Sequence, residues 1–176
     1  MHIILGLIGL AAAAGFWIWR IRAAAEAGSQ VIDAAKDVRA AARRFGFRRR
    51  TTVHPVDSID DARVAAAAIL AALVVQDHLT EVERRTTSIV QMQSVFEVTK
   101  TEAEELYALG HWLVAQCSGP GIAVPRLARK LNALAGVAAQ PDLERMIAAV
   151  WADQSGTMPE HVLEGLGDIR QKFPAA

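Results

Sequence analysis

The chain has 176 residues, and its hydrophobic content of 52% is enough for a buried core and excludes a largely disordered protein. Its net charge is zero, but residues 1–50 carry nine Lys and Arg against three Asp and Glu, whereas residues 51–176 carry ten against sixteen. A basic leader therefore precedes an acidic body. The single cysteine, Cys117, excludes an internal disulfide and a thiolate metal cluster, and we expect a buried, inert thiol there.

The first predicted element is an apolar run over residues 3–19 that carries no charged side chain. At about 1.5 Å per residue this run reaches roughly 25 Å as a helix, near the lower limit for crossing a bilayer core. Trp17 and Trp19 close the run, and Arg20 and Arg22 follow it, an order typical of a membrane–water interface. We therefore predict a transmembrane anchor, not a cleaved signal peptide, in which positive charge would precede the apolar stretch.

A basic stalk and linker over residues 23–57 is predicted to follow this anchor of residues 1–22. Cytoplasmic flanks collect Lys and Arg, so we expect a single pass through the inner (cytoplasmic) membrane with the body in the cytoplasm. Alternation of the basic residues with Ala favours a helix beside anionic lipid over one that binds nucleic acid. Ala11 and Gly15 form a small-xxx-small pair that could join two anchors in a homodimer. A Gly, a Pro and clustered polar residues in the segment from Phe45 to Ser58 predict a linker.

The body after this linker shows no alternating strand period, so the predicted fold class is all-α. Its first helix is expected over residues 59–76, capped by Asp57 or Ser58. This helix is apolar on nearly every face, which predicts a central position in the bundle. Its continuous apolar run, residues 64–75, is too short to cross a membrane.

The later helices are located by their start signals. Three of them share a capping box, in which a Thr oxygen accepts from the amide three residues on and a Glu side chain returns to the amide of the Thr. The three pairs are Thr80 with Glu83, Thr99 with Glu102, and Thr157 with Glu160. We predict helices over residues 81–96, 100–117, 125–135, 141–152 and 158–172, of which the third and fourth open near a proline.

The usual catalytic signatures are missing from the sequence. It contains no glycine-rich phosphate loop, no nucleophile elbow and no pair of histidines at metal-binding spacing. His111 lies on a largely apolar helix, where we expect a core or boundary imidazole and not a ligand. We therefore predict that the protein is not an enzyme, and keep metal-assisted hydrolysis as a remaining alternative.

Two predicted interhelical loops carry carboxylates at both ends. The first has Asp77 and Glu83, with Glu81 between them, and the second has Asp153 and Glu160. Carboxylates that converge on a short loop can bind a hard divalent cation, at about 2.3–2.6 Å for calcium. The alternative is that these acids only cap helices and fill their first turns.

At these loops the sequence resembles the TerB-like family, named for a tellurite-resistance protein and related to the membrane-proximal domain of the co-chaperone DjlA. The resemblance covers about residues 58–174. It is carried by the Ala-rich helix ending in Val75-Gln76-Asp77, by Leu79-Thr80-Glu81-Val82-Glu83-Arg84, and by Val150-Trp151-Ala152-Asp153 leading to Glu160. It implies an all-helical, internally duplicated bundle with an Ala-Asp-Gly motif in each half. A Glu seven residues after each Asp is implied to complete a metal site.

This chain departs from that pattern in both loops. The first loop lacks the family glycine and is one residue short, so Glu83 must serve as the family Glu while Arg84 occupies the strict spacing. In the second loop Gln154 replaces the glycine. We therefore expect a degenerate, weak or absent metal site. A bound cation would be held by Asp77, Glu83, Asp153 and Glu160.

Together with the predicted anchor and the missing catalytic signatures, the resemblance predicts a membrane-anchored TerB-like module without enzymatic activity. Such a module would act in protein interaction or divalent-metal sensing, in an envelope or metal (tellurite-type) stress response. The expected partners are membrane lipid and a protein of unknown identity, with no nucleic acid and no cofactor other than a divalent cation. The alternative is a structural, assembly or co-chaperone-like membrane protein with no working metal site.

Overall fold

The computed structural model describes residues 36–48, 52–77, 80–152 and 158–173. Regular structure in these ranges is entirely helical, which confirms the all-α class. The helices are α1 (Ala62–Val74), α2 (Glu81–Phe96), α3 (Lys100–Ala115), α4 (Pro120–Ala135), α5 (Ala139–Val150) and α6 (Glu160–Lys172), with a short 3-10 turn at Pro55–Ser58. Residues 36–44 are also helical.

The predicted anchor, with Trp17, Trp19, Arg20 and Arg22, lies outside the described residues. Among the helices that the structure does describe, none combines the length and the apolar character needed to cross a bilayer.

Helix α1 is the centre of the bundle, as its sequence predicts. Every residue from Val64 to Val74 is buried, and α1 packs chiefly against α3 and α4. Its small alanine side chains let α3 approach closely. The approach is so close that a Cβ atom added to Gly110 of α3 would lie 2.9 Å from the Cα of Ala68. An all-apolar helix reaches its lowest free energy when neighbours cover every face.

The start of α1 differs from the prediction. Asp61 caps this helix: its backbone is extended and its side chain accepts a hydrogen bond from the amide of Arg63 at 2.9 Å. Asp57 and Ser58 belong instead to the preceding 3-10 turn, which His54 caps through its ring nitrogen. The chain therefore makes one extra turn before it enters α1.

One of the three predicted capping boxes is confirmed. Thr99 and Glu102 make both reciprocal hydrogen bonds at the start of α3. Hydrogen bonds from the Thr99 amide and hydroxyl, assisted by Arg44, lower the pKa of Glu102. Thr80 precedes α2 without a side-chain capping bond, because its ψ of 17° departs from the extended conformation that aims the oxygen at the helix amides.

The other predicted helices differ mainly at their ends. Pro159 precedes α6 and offers no capping oxygen, whereas Thr157 lies outside the described residues. Helix α4 begins at Pro120, five residues before the predicted start, and therefore contains Pro125. Pro120 suits a first helical turn, because amides there have no acceptor within the helix and the missing N–H of Pro costs no hydrogen bond.

The segment predicted as a linker contributes to the core. Phe45, Phe47 and Val56 are buried, and the ring of Phe47 packs edge-on against Trp112 with centroids 5.9 Å apart. The chain divides at residue 36, and the described residues from Asp37 onward form one compact unit. The Gly and Pro of this segment do end regular helix, but its aromatic side chains still gain by burial. This unit therefore includes described residues that precede the predicted body of residues 58–174.

Candidate functional site

The two predicted acidic loops connect α1 to α2 and α5 to α6. In the first loop the amide of Thr80 donates to the carbonyl oxygen of Asp77 at 3.3 Å, and the amide of Arg84 donates to the carbonyl oxygen of Thr80 at 2.9 Å. These bonds join the end of α1 to the first turn of α2. Helix α2 also packs along α5, so the start of the second loop can be reached from the first.

Arg84 makes that connection. Its Nη1 donates to the carbonyl oxygen of Val150 at 2.6 Å, and its Nε lies 3.7 Å from Oδ2 of Asp77. Its guanidinium also lies over the ring of Trp151, 5.9 Å from the centroid. The side chains of Arg84 and Asp77 are only 15% and 18% exposed, so solvent screens their attraction weakly. A permanent cation thus lies beside Asp77, one of the four residues that the resemblance implies as metal ligands.

Polar atoms of three further residues line this end of the bundle. Trp151 is nearly fully buried, and its ring meets that of His161 edge-on, with centroids 6.4 Å apart. Trp151 Nε1, His161 Nε2 and Thr80 Oγ1 are buried and have no hydrogen-bond partner among the described residues. Buried groups of this kind cost free energy until a partner satisfies them.

The structure describes three of the four predicted metal ligands. Asp77 is largely buried against Arg84, whereas Glu83 and Glu160 are exposed in the first turns of α2 and α6. Asp153 lies outside the described residues. Within the described part of the chain no three His, Cys, Asp or Glu side chains converge as metal ligands.

The sequence prediction missed the contacts of Arg84. Its spacing from Asp77 was the available signal, because that spacing places it where the family motif has Glu. The approach to Val150 is not visible in the sequence, since it depends on how α2 packs against α5.

Two other potentially reactive side chains, those of Cys117 and His111, lie away from these loops. Cys117 is half-buried, its Sγ lies 3.6 Å from the carbonyl oxygen of Leu113, and burial raises the pKa of its thiol. A raised pKa disfavours the reactive thiolate, which agrees with the predicted inert thiol.

The prediction of a core or boundary position for His111 is wrong, because its side chain is exposed while the adjacent Gly110 faces α1.

A groove of about 620 Å³ lies between the 3-10 turn and α4. Its walls include Ile122, Arg126, Arg129 and Lys130 of α4, with Asp57 opposite. Arg126 forms an ion pair of 2.6 Å with the Asp57 carboxylate, and Lys130 Nζ donates to the Asp57 carbonyl oxygen at 3.0 Å. Arg129 is exposed and makes no hydrogen bond or ion pair with any residue that the structure describes.

No protein-family model, no curated protein and no solved structure shows significant similarity to this chain. The fold class stands on the structure itself. The TerB-like resemblance stays a prediction, carried by the loop motifs and their order.

Proposed function

We propose that this chain is a membrane-tethered, non-enzymatic interaction module with a TerB-like helical bundle as its body. The arrangement of the labelled helices supports this proposal: α1, α2 and α3 precede the turn at residues 116–119, and α4, α5 and α6 follow it, as expected for two similar halves. Residues 1–22 would anchor the module in the inner membrane. The bundle would then recruit a protein partner in an envelope or metal-stress response.

The observation that carries the proposal is the position of Arg84 between Asp77 and Val150. A guanidinium at this point supplies, beside Asp77, a positive charge that the first acidic loop would otherwise take from a divalent ion. It also repels an incoming cation, and the repulsion is strong because the group is poorly screened. A module of this kind would keep its shape and present its surface to a partner without a bound metal.

The alternative role as an assembly or co-chaperone-like protein uses the same architecture. The two roles differ in the partner that is recruited. A co-chaperone-like protein would recruit a chaperone, whereas a module in a metal-stress response would recruit components of a metal-resistance system. The structure supports both equally, so the identity of the partner decides between them.

The test begins with affinity-tagged full-length protein in membranes washed with carbonate. The proposal expects the protein to stay in the membrane, and a matched variant that lacks residues 1–22 to be released. Release of both proteins by carbonate would contradict the predicted anchor.

The second part of the test is purification in detergent, with a chelator or with Ca²⁺, Mg²⁺, Mn²⁺ or Zn²⁺ at millimolar concentration. The proposal expects the same protein partner under every condition. A partner that requires one of the ions would contradict the metal-independent module and favour ion sensing instead.

A further inference from the structure

Helix α4 carries an unusual charge for this body. Residues 51–176 have ten Lys and Arg against sixteen Asp and Glu, yet α4 contains Arg126, Arg129 and Lys130 and no acidic residue. These residues follow Ile122 by four, seven and eight positions, which places all four on one helical face. A basic stripe therefore stands out on an acidic domain.

This face is accessible from solvent. Ile122 is 58% exposed, although large aliphatic side chains in the rest of the body are mostly buried. Asp57 engages Arg126 and Lys130 but is one carboxylate against three cations, and Arg129 has no partner among the described residues. The groove between Asp57 and α4 thus keeps a surplus of positive charge next to an exposed apolar side chain.

The combination of cations with an aliphatic side chain indicates the chemistry of the occupant. Anionic lipid head groups pair with Lys and Arg, and the acyl boundary beneath them accepts an apolar side chain. Single-stranded nucleic acid would instead require aromatic side chains for base stacking, and the residues that line this groove include none.

We infer that the face formed by Ile122, Arg126, Arg129 and Lys130 is a docking surface for anionic lipid head groups. This inference rests on the proposed tether, because an anchored body stays at high local concentration near the bilayer. Docking through α4 would hold the bundle against the membrane in addition to its covalent connection.

The experiment uses the full-length protein in lipid nanodiscs of phosphatidylcholine, with or without phosphatidylglycerol. The rate of Lys130 acetylation, read by mass spectrometry, reports whether the face is covered, and Lys100 on α3 is the internal reference because its side chain is 74% exposed. We expect phosphatidylglycerol to slow acetylation of Lys130 relative to Lys100, and added salt to reverse the effect.

A pair of variants with the same change in charge tests the surface directly. Arg129→Gln should weaken the protection of Lys130 about fivefold, the equivalent of roughly 1 kcal/mol for one charge near an anionic surface. Arg145→Gln removes one charge from α5, where the side chain is 66% exposed, and should leave the protection unchanged. Equal loss in both variants would show a general charge effect and overturn the inference.

Two further outcomes would also overturn it. Equal acetylation of Lys130 in both lipids would show that the face stays free, and protection by inorganic phosphate in pure phosphatidylcholine would assign the face to a soluble anion. A chain that does not enter nanodiscs would refute the proposed tether instead. The Lys130 measurement on preformed vesicles of the two compositions would then decide the inference by itself.

Discussion

Arg84 Nη1 donates a 2.6 Å hydrogen bond to the carbonyl oxygen of Val150, 66 residues further along the chain. Val150 is the last residue of α5, so no backbone amide of that helix donates a hydrogen bond to its carbonyl oxygen. A cation at a helix C-terminus also complements the helix dipole. The same side chain approaches Asp77, and thus one guanidinium joins the ends of α1 and α5 to the start of α2.

Arg84→Ala should destabilise the body. The substitution removes a charge-assisted hydrogen bond and leaves the largely buried Asp77 carboxylate without its cation, which together should lower the free energy of unfolding by about 2 kcal/mol. Urea denaturation of residues 37–176 measures this difference. The control is Arg145→Ala, an exposed pair with Asp142 that should contribute less than about 0.5 kcal/mol. Equal losses in the two variants would refute the structural role of Arg84.

Arg84→Glu should create sensitivity to divalent ions. The new carboxylate would stand seven residues after Asp77, at the spacing of the TerB-like motif, with the Val150 carbonyl as a further oxygen ligand. We expect millimolar Ca²⁺ to raise the Tm of this variant and to leave the wild-type Tm unchanged, because a ligand that binds only the folded state stabilises it. Arg85→Glu makes the same change in charge at an exposed neighbour. An equal Ca²⁺ response there would show that the effect is not specific to the loop.

Gly110→Ala should disrupt the contact between α1 and α3. The added methyl group would meet backbone atoms of Ala68 at 2.9 Å, and two helices must move apart to admit it. We expect a loss of at least about 2 kcal/mol in the free energy of unfolding. Gly167→Ala is the matched control, because nothing lies within 4 Å of its added Cβ in the middle of α6. That change should stabilise the protein by about 0.5 kcal/mol, through helix propensity alone.

Tyr107 should make stability depend on alkaline pH. Burial raises the pKa of Tyr107 to about 12, although the guanidinium of Arg85 over its ring acts in the opposite direction. A folded-state pKa above the unfolded value of 10.0 means that the stability contribution is complete below that value. It is then lost as the pH rises towards 12, by up to about 1.4 kcal/mol per pH unit.

The chain has one tyrosine, so ultraviolet absorbance of tyrosinate follows this residue alone. Tyr107→Phe should remove the part of the alkaline loss of stability that ionisation of Tyr107 causes. Formation of tyrosinate in the folded protein near the ordinary pKa of 10.0 would refute the prediction.

Phe47→Ala tests whether the segment before the 3-10 turn belongs to the body. Phe47 is 9% exposed and packs against Trp112, so truncation should cost about 3 kcal/mol in the free energy of unfolding. Val53→Ala, at a side chain that is 42% exposed in the same segment, should cost less than about 0.5 kcal/mol. If neither change alters stability, the domain begins later, as the sequence pattern suggested.

Local patterns account for the parts of the fold that were predicted correctly. The apolar run of α1 has only one favourable environment, and the box of Thr99 and Glu102 closes between residues of a single turn. The same sequence pattern at Thr80 and Glu83 does not form a box, because the backbone of Thr80 follows the turn from Asp77 instead of an extended entry. Glu83 is exposed in the first turn of α2, and the described residues contain no group of three His, Cys, Asp or Glu side chains that could hold a metal ion.

The sequence by itself determined the helical class, the buried position of α1 and the presence of acids around two loops, since each depends on composition and short-range periodicity. Only the tertiary structure decided that Phe45 and Phe47 join the core and that Arg84 reaches both Asp77 and Val150. The physical reason is range. Caps and apolar periodicity act over a few residues, whereas the partner of a buried charge is whatever group the packing of distant helices brings within hydrogen-bond distance.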